Sequence, residues 1–118
     1  MRHLAVTDQY IQYVLEQLAG LGRVTTRRMF GGAGFYCEGL FFGLVARDAL
    51  YFKVNHANRA DYETRGMKPF KPYRDKPAVS LTYYGVPADV IEDAEECVKW
   101  ARRALAAARG RTGRLLDV

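Results

Sequence analysis

At 118 residues, with 49% hydrophobic and 26% charged side chains, the chain has the length and composition of one globular domain and is too short for two. Its longest uncharged apolar run, residues 40–46, excludes a membrane-spanning helix, which needs about 20 apolar residues. The net charge of +5 is uneven: residues 51–77 carry seven basic and three acidic side chains, while the segments on either side are nearly balanced. That excess is modest for a protein with an anionic partner, but it is concentrated in one stretch.

The start, Met1-Arg2-His3-Leu4, has no apolar stretch of signal-peptide length, so a cytoplasmic location and no membrane association are expected. Thr7 or Asp8 is placed to cap a first helix, whose apolar stripe is Tyr10, Ile11, Val14, Leu15 and Leu18. Gly20 and Gly22 end it. From Arg23 the period changes to two. Val24 to Phe30 reads as a strand, Gly31-Gly32-Ala33-Gly34 breaks it, and Phe35-Tyr36-Cys37 resumes. Glu38-Gly39 turns into Leu40–Ala46, the most apolar strand, and Arg47-Asp48-Ala49 turns into Leu50–Val54. Strands joined by connections this short must be sequential antiparallel neighbours, so a meander is expected.

Asn55 or Asn58 can cap a short second helix ending near Arg65, with Gly66 as its stop. Residues 67–77 hold three of the four prolines and read as a loop, and Ala78–Tyr84 as a fifth strand. Pro87-Ala88-Asp89 then opens one long helix to about Ala108, acidic in its first half and basic in its second, which suits the helix dipole. The expected architecture is α+β in two layers: a mainly antiparallel sheet of five to six strands with helices packed on it, in the order α-β-β-β-β-α-β-α. It spans residues 1–110, with 111–118 as a loose tail.

The stretch Arg28-Met29-Phe30-Gly31-Gly32-Ala33-Gly34-Phe35-Tyr36, then Gly39 and Phe41-Phe42-Gly43-Leu44, resembles the N-terminal domain of TfoX/Sxy proteins. The likeness continues through Leu50–Val54, Met67-Lys68-Pro69-Phe70, the step Tyr83-Tyr84-Gly85-Val86-Pro87, Trp100-Ala101 and Ala104-Leu105. It covers roughly residues 8–108. The resemblance implies a two-layer α+β fold and an association with competence and DNA uptake, through transcriptional coactivation beside the cAMP receptor protein. Those regulators carry a second, C-terminal helical domain with no counterpart before Val118, so the expectation is a stand-alone N-terminal domain.

Candidate sites divide by chemistry. Gly31, Gly32 and Gly34, with Met29 and Phe30, resemble a phosphate cradle only superficially, because a strand follows where a phosphate loop needs a helix N-terminus. A turn or close backbone approach is the expected reason for these glycines. Ser80 is the only serine and lies in a predicted strand without a nucleophile elbow. Two histidines and two distant cysteines have no metal-ligand spacing, so neither metal nor cofactor is expected. Cys37 and Cys97 are expected as free, buried or half-buried thiols.

The basic segment is the most suggestive feature. Lys53, Arg65, Lys68, Lys71, Arg74 and Lys76 accompany Phe70 and Tyr73. Basic residues beside aromatics can bind nucleic acid, anchor a partner protein, or merely form a solvated loop with Phe70 folded onto the core. A second basic group, Arg23, Arg27 and Arg28, must divide between the faces of its strand. The reading that emerges is a non-enzymatic regulatory module, working through a protein partner in the transcription machinery, with nucleic acid as a further partner. The alternative is a small enzyme or ligand-binding domain using Cys37 and a cleft beside the sheet. Homodimerisation through a sheet edge or an aromatic patch is a third option.

Overall fold

The computed structural model describes residues 8–29, 31–71 and 82–117. Helix α1 (Asp8–Gln17) leads through a 3-10 turn (Ala19–Leu21) into four strands, β1 (Val24–Met29), β2 (Gly32–Cys37), β3 (Leu40–Ala46) and β4 (Ala49–Lys53). Helix α2 (Arg59–Glu63), strand β5 (Tyr83–Gly85) and helices α3 (Ala88–Glu92) and α4 (Ala94–Asp117) follow. The five strands lie in sequence order in one antiparallel sheet, as the short connections require for β1 to β4, and β5 adds to β4 after the longer excursion through α2.

Tight turns build the meander. Glu38 and Gly39 have φ of 56° and 77°, and Arg47 and Asp48 have φ of 54° and 61°. Positive φ at both central residues gives the turn twist that matches the strands it joins. Gly31, at φ 75°, serves the β1–β2 connection. The glycine run is therefore not a four-residue break: β2 begins at Gly32, and Gly32 and Gly34 are paired strand residues. Both are glycine for want of room. A β-carbon on Gly34 would come 2.7 Å from Met29 Cε and 2.8 Å from Phe41 Cε1. Likewise the second turn is only two residues long, because Ala49 already pairs with Ala46.

Between β2 and β3 the register shifts, with Tyr36 opposite Phe41 and Phe35 opposite Gly43. The unmatched Phe42 is a bulge residue that turns its ring into the core, 5.9 Å from Phe52. The core lies between one sheet face and the helices. Ala33, Phe35, Cys37, Phe42, Val45, Leu50 and Phe52 meet Ile11, Val14, Leu18, Val90, Cys97, Ala101 and Leu105 there. Tyr62 of α2 joins from the side, edge-on to Trp100 with ring centroids 4.8 Å apart.

The single long helix expected after Pro87 is two helices. At Asp93 the backbone is extended (φ −107°, ψ 105°), so α3 stops and α4 starts afresh. Asp93 caps the new helix: its Oδ1 accepts from the amides of Glu95 (3.1 Å) and Glu96 (3.2 Å), and its carbonyl accepts from Cys97 N. Backbone groups freed at the end of α3 are also met. The Ile91 carbonyl accepts a 2.8 Å bond from Gln17 Nε2, which ties α1 to the break. Helix α4 then runs to Asp117, past the expected end near Ala108 and through 111–117. The expected strand over 78–84 is seen as Tyr83–Gly85, and residues 78–81 lie outside the described residues.

Candidate functional site

With the helices gathered on one side, the other face of the sheet carries no helix among the described residues. Alternation fixes what it presents. Arg23, just before β1, and Thr25 and Arg27 on it line one groove with Tyr36, Cys37, Glu38 and Gly39, a recess of about 610 Å³. Tyr36 stands opposite Phe41 in the register, and their rings stack with centroids 5.2 Å apart and planes 29° from parallel. The ring of Phe41 meets Tyr83 of β5 at 5.4 Å, and Lys53 Nζ lies 5.1 Å from the centre of the Tyr83 ring. Three half-buried rings thus run across the sheet from the groove at β1 to Lys53 at the end of β4.

The charges divide by face. Arg28, next to Arg27 but pointing to the helix side, pairs with Asp8. Arg65, Arg103 and Arg109 pair with Asp89, Asp61 and Glu38. Arg23 and Arg27 are exposed and have no ion-pair partner among the described residues. The two faces of β1 thus separate the arginines that serve the fold from those left to solvent.

The basic middle segment does not form one patch. Arg65 donates to Asp89 at 2.5 and 2.6 Å and lies over Trp100, on the helix side, and its guanidinium holds the Asp89 carboxyl below the usual carboxylate range. Lys68 and Lys71 are exposed at the far sheet edge. There the segment runs beside β5 through one isolated bridge, Pro69 opposite Tyr84, with Gly85 N donating to Lys68 O (2.9 Å) and Phe70 N to Tyr83 O (2.8 Å). Phe70 folds back on the sheet, its ring 4.9 Å from that of Tyr51. Lys53 is buried on the sheet face (6% exposed) and not part of the loop. Tyr73, Arg74 and Lys76 lie outside the described residues, as do Phe30 of the glycine motif and Ser80.

The two-residue turn at Glu38-Gly39 sets Phe41 opposite Tyr36, but the bulge at Phe42 breaks the alternation along the rest of β3 and hides which of the two phenylalanines faces outward. The signal was an aromatic at one outward position of each of the strands β2 to β5: Tyr36, Phe41, Tyr51 and Tyr83.

Cys37, the alternative's candidate nucleophile, is buried, and burial and Glu38 push its thiol above the ordinary value. Arg109 acts on it in the opposite sense. A thiol held protonated in this way is a poor nucleophile. Cys97 is fully buried and its thiol is pushed up to about 11. Among the described residues no three His, Cys, Asp or Glu side chains are grouped to hold a metal ion, and no helix is long and apolar enough to cross a membrane.

The architecture is that of a small two-layer α+β domain whose sheet has one face without helices among the described residues. The chain belongs to the TfoX N-terminal domain family, which it matches over residues 16–108. It is also similar to the DNA transformation protein TfoX1 of Aliivibrio fischeri, with 29% identity over 89 residues. That alignment covers 70% of this chain and 43% of the relative, so the chain spans less than half of the longer protein.

Proposed function

We propose that this domain is a non-enzymatic regulatory binding module of the competence type, acting in the cytoplasm through contacts with the transcription machinery. The observation that carries the reading is the family match over residues 16–108, which takes in every strand and most of the helical layer. The name of the Aliivibrio fischeri relative, a DNA transformation protein, supplies the process. The chemistry of the thiols agrees with binding in place of catalysis, since both are buried and shifted toward the protonated form.

The test is co-purification of the tagged chain from its native host, followed by pairwise binding of the purified chain to RNA polymerase and to the cAMP receptor protein. Saturable binding to either, unaffected by nuclease, is the expected result. Absence of binding to both would overturn the reading.

A further inference from the structure

We propose that the outer edge of β1 is a docking site for an extended acidic segment of a partner protein, which adds to the sheet as a further strand. The two edges of the sheet differ. Beyond the short β5 the segment 68–70 runs alongside, with Gly85 N donating to Lys68 O and Phe70 N to Tyr83 O. Strand β1 has six residues against the three of β5, and its register with β2 is unbroken. It has no neighbour on its other side among the described residues. A strand so placed leaves alternate backbone N–H and C=O groups in a row that another extended main chain can pair. The devices that blunt such an edge are missing here. Val24–Met29 holds no proline and no bulge, and its charge on the helix side, Arg28, is paired with Asp8.

Side chains select the occupant. Alternation puts Arg23, Thr25 and Arg27 on the face away from the helices, all three exposed. The two arginines have no ion-pair partner among the described residues, and Glu38, an acid in the recess they line, is taken by Arg109. On the helix side the same stretch presents Val24 and Thr26, half-buried and opposite Cys37 and Phe35 of the core. A strand added here sets its side chains alternately beside these two rows. The match is a segment with an acid at every second position and β-branched apolar residues between. A second copy of β1 would bring its own two arginines onto the same face, where like charges repel. A nucleic acid would meet the arginines but has no peptide backbone to pair with the edge.

The proposal does not rest on the regulatory reading, and either can fail without the other. Its test is fluorescence anisotropy of a labelled synthetic peptide of alternating glutamate and valine with capped ends, joined to backbone amide exchange of the complex. The wild-type chain is expected to bind the peptide saturably, and exchange at residues 24–27 is expected to slow on binding. A block-ordered peptide of the same composition, and a form N-methylated at every backbone amide, should each bind about tenfold more weakly. Arg23→Glu/Arg27→Glu, at exposed side chains, should also weaken binding about tenfold while keeping the wild-type melting curve. Lys68→Glu/Lys71→Glu, at the opposite edge, is expected to bind as wild type. Equal binding of the N-methylated peptide, unchanged exchange at 24–27, or an arginine variant that binds like wild type would each overturn the proposal. So would displacement of the peptide by equimolar oligothymidylate, which would give the arginines to nucleic acid. A dimer in light scattering that the peptide dissociates would give the edge to a second copy, and would overturn it too.

Discussion

A β-carbon on Gly32 would lie 2.0 Å from the carbonyl oxygen of Val45. The contact is backbone against the strand beside it, so no side-chain rotation relieves it. Gly31, one residue earlier, has nothing within 4 Å of such an atom but holds φ at 75°. The two adjacent glycines therefore answer different demands, one for space and one for backbone conformation. Gly31→Ala should cost about 1–2 kcal/mol, the usual penalty of a left-handed L-residue. Gly32→Ala should cost about 3 kcal/mol, because β2 and β3 must separate. Urea unfolding of the two variants measures both, and equal costs would contradict the assignment.

Asp93 holds the start of α4 by accepting from two of its amides. Asp93→Ala should lower stability by about 1 kcal/mol, and Asp93→Asn should stay within a few tenths of wild type, since asparagine caps as well. Unchanged stability in the alanine variant would remove the cap.

Tyr62 is 1% exposed, and its hydroxyl has no hydrogen-bond partner among the described residues. Burial drives its phenol well above the ordinary value. Tyr62→Phe keeps the edge-on contact with Trp100 and removes the orphan group. Its stability should equal or exceed that of wild type by up to about 1 kcal/mol. A loss larger than that would mean the hydroxyl is bonded after all.

Cys97 carries a pH dependence. Its folded pKa is raised from 9.0 to about 11 by burial, so the folded state favours the neutral thiol. That contribution is present in full below about pH 9 and is lost as pH rises through about 11. Melting temperature should therefore hold steady to about pH 9 and then fall. Raised values at Tyr10, Tyr62 and Tyr84 add to the fall at the alkaline end. In Cys97→Ala the decline between pH 9 and 11 should be shallower, whatever the variant loses in packing. An unchanged slope would contradict the burial of this thiol.

The meander could be read from the sequence because two-residue turns leave neighbouring strands no other arrangement. Glu38-Gly39 and the period-two alternation around it were enough. The break at Asp93 was hidden inside a stretch of uniformly good helix formers, where its charge was read as part of an acidic first half. The pattern Asp93-Ala94-Glu95-Glu96, a cap residue with glutamate three places on, was the available signal. The site was less legible. Residue spacing grouped Arg65 with Lys68 and Lys71, but α2 and the turn at Gly66 send Arg65 to Asp89 on the helix side. Tyr36 and Phe41 face each other across the turn at Glu38-Gly39, and only the pairing of β5 with β4 brings Tyr83, far along the chain, to them.

Regulation by this domain is tested most directly by transcript abundance of the DNA-uptake genes in its native host, with the gene deleted and then restored. The transcripts are predicted to fall on deletion and to recover on restoration. Levels that stay unchanged in both strains, with the restored protein demonstrably present, would contradict a regulatory role.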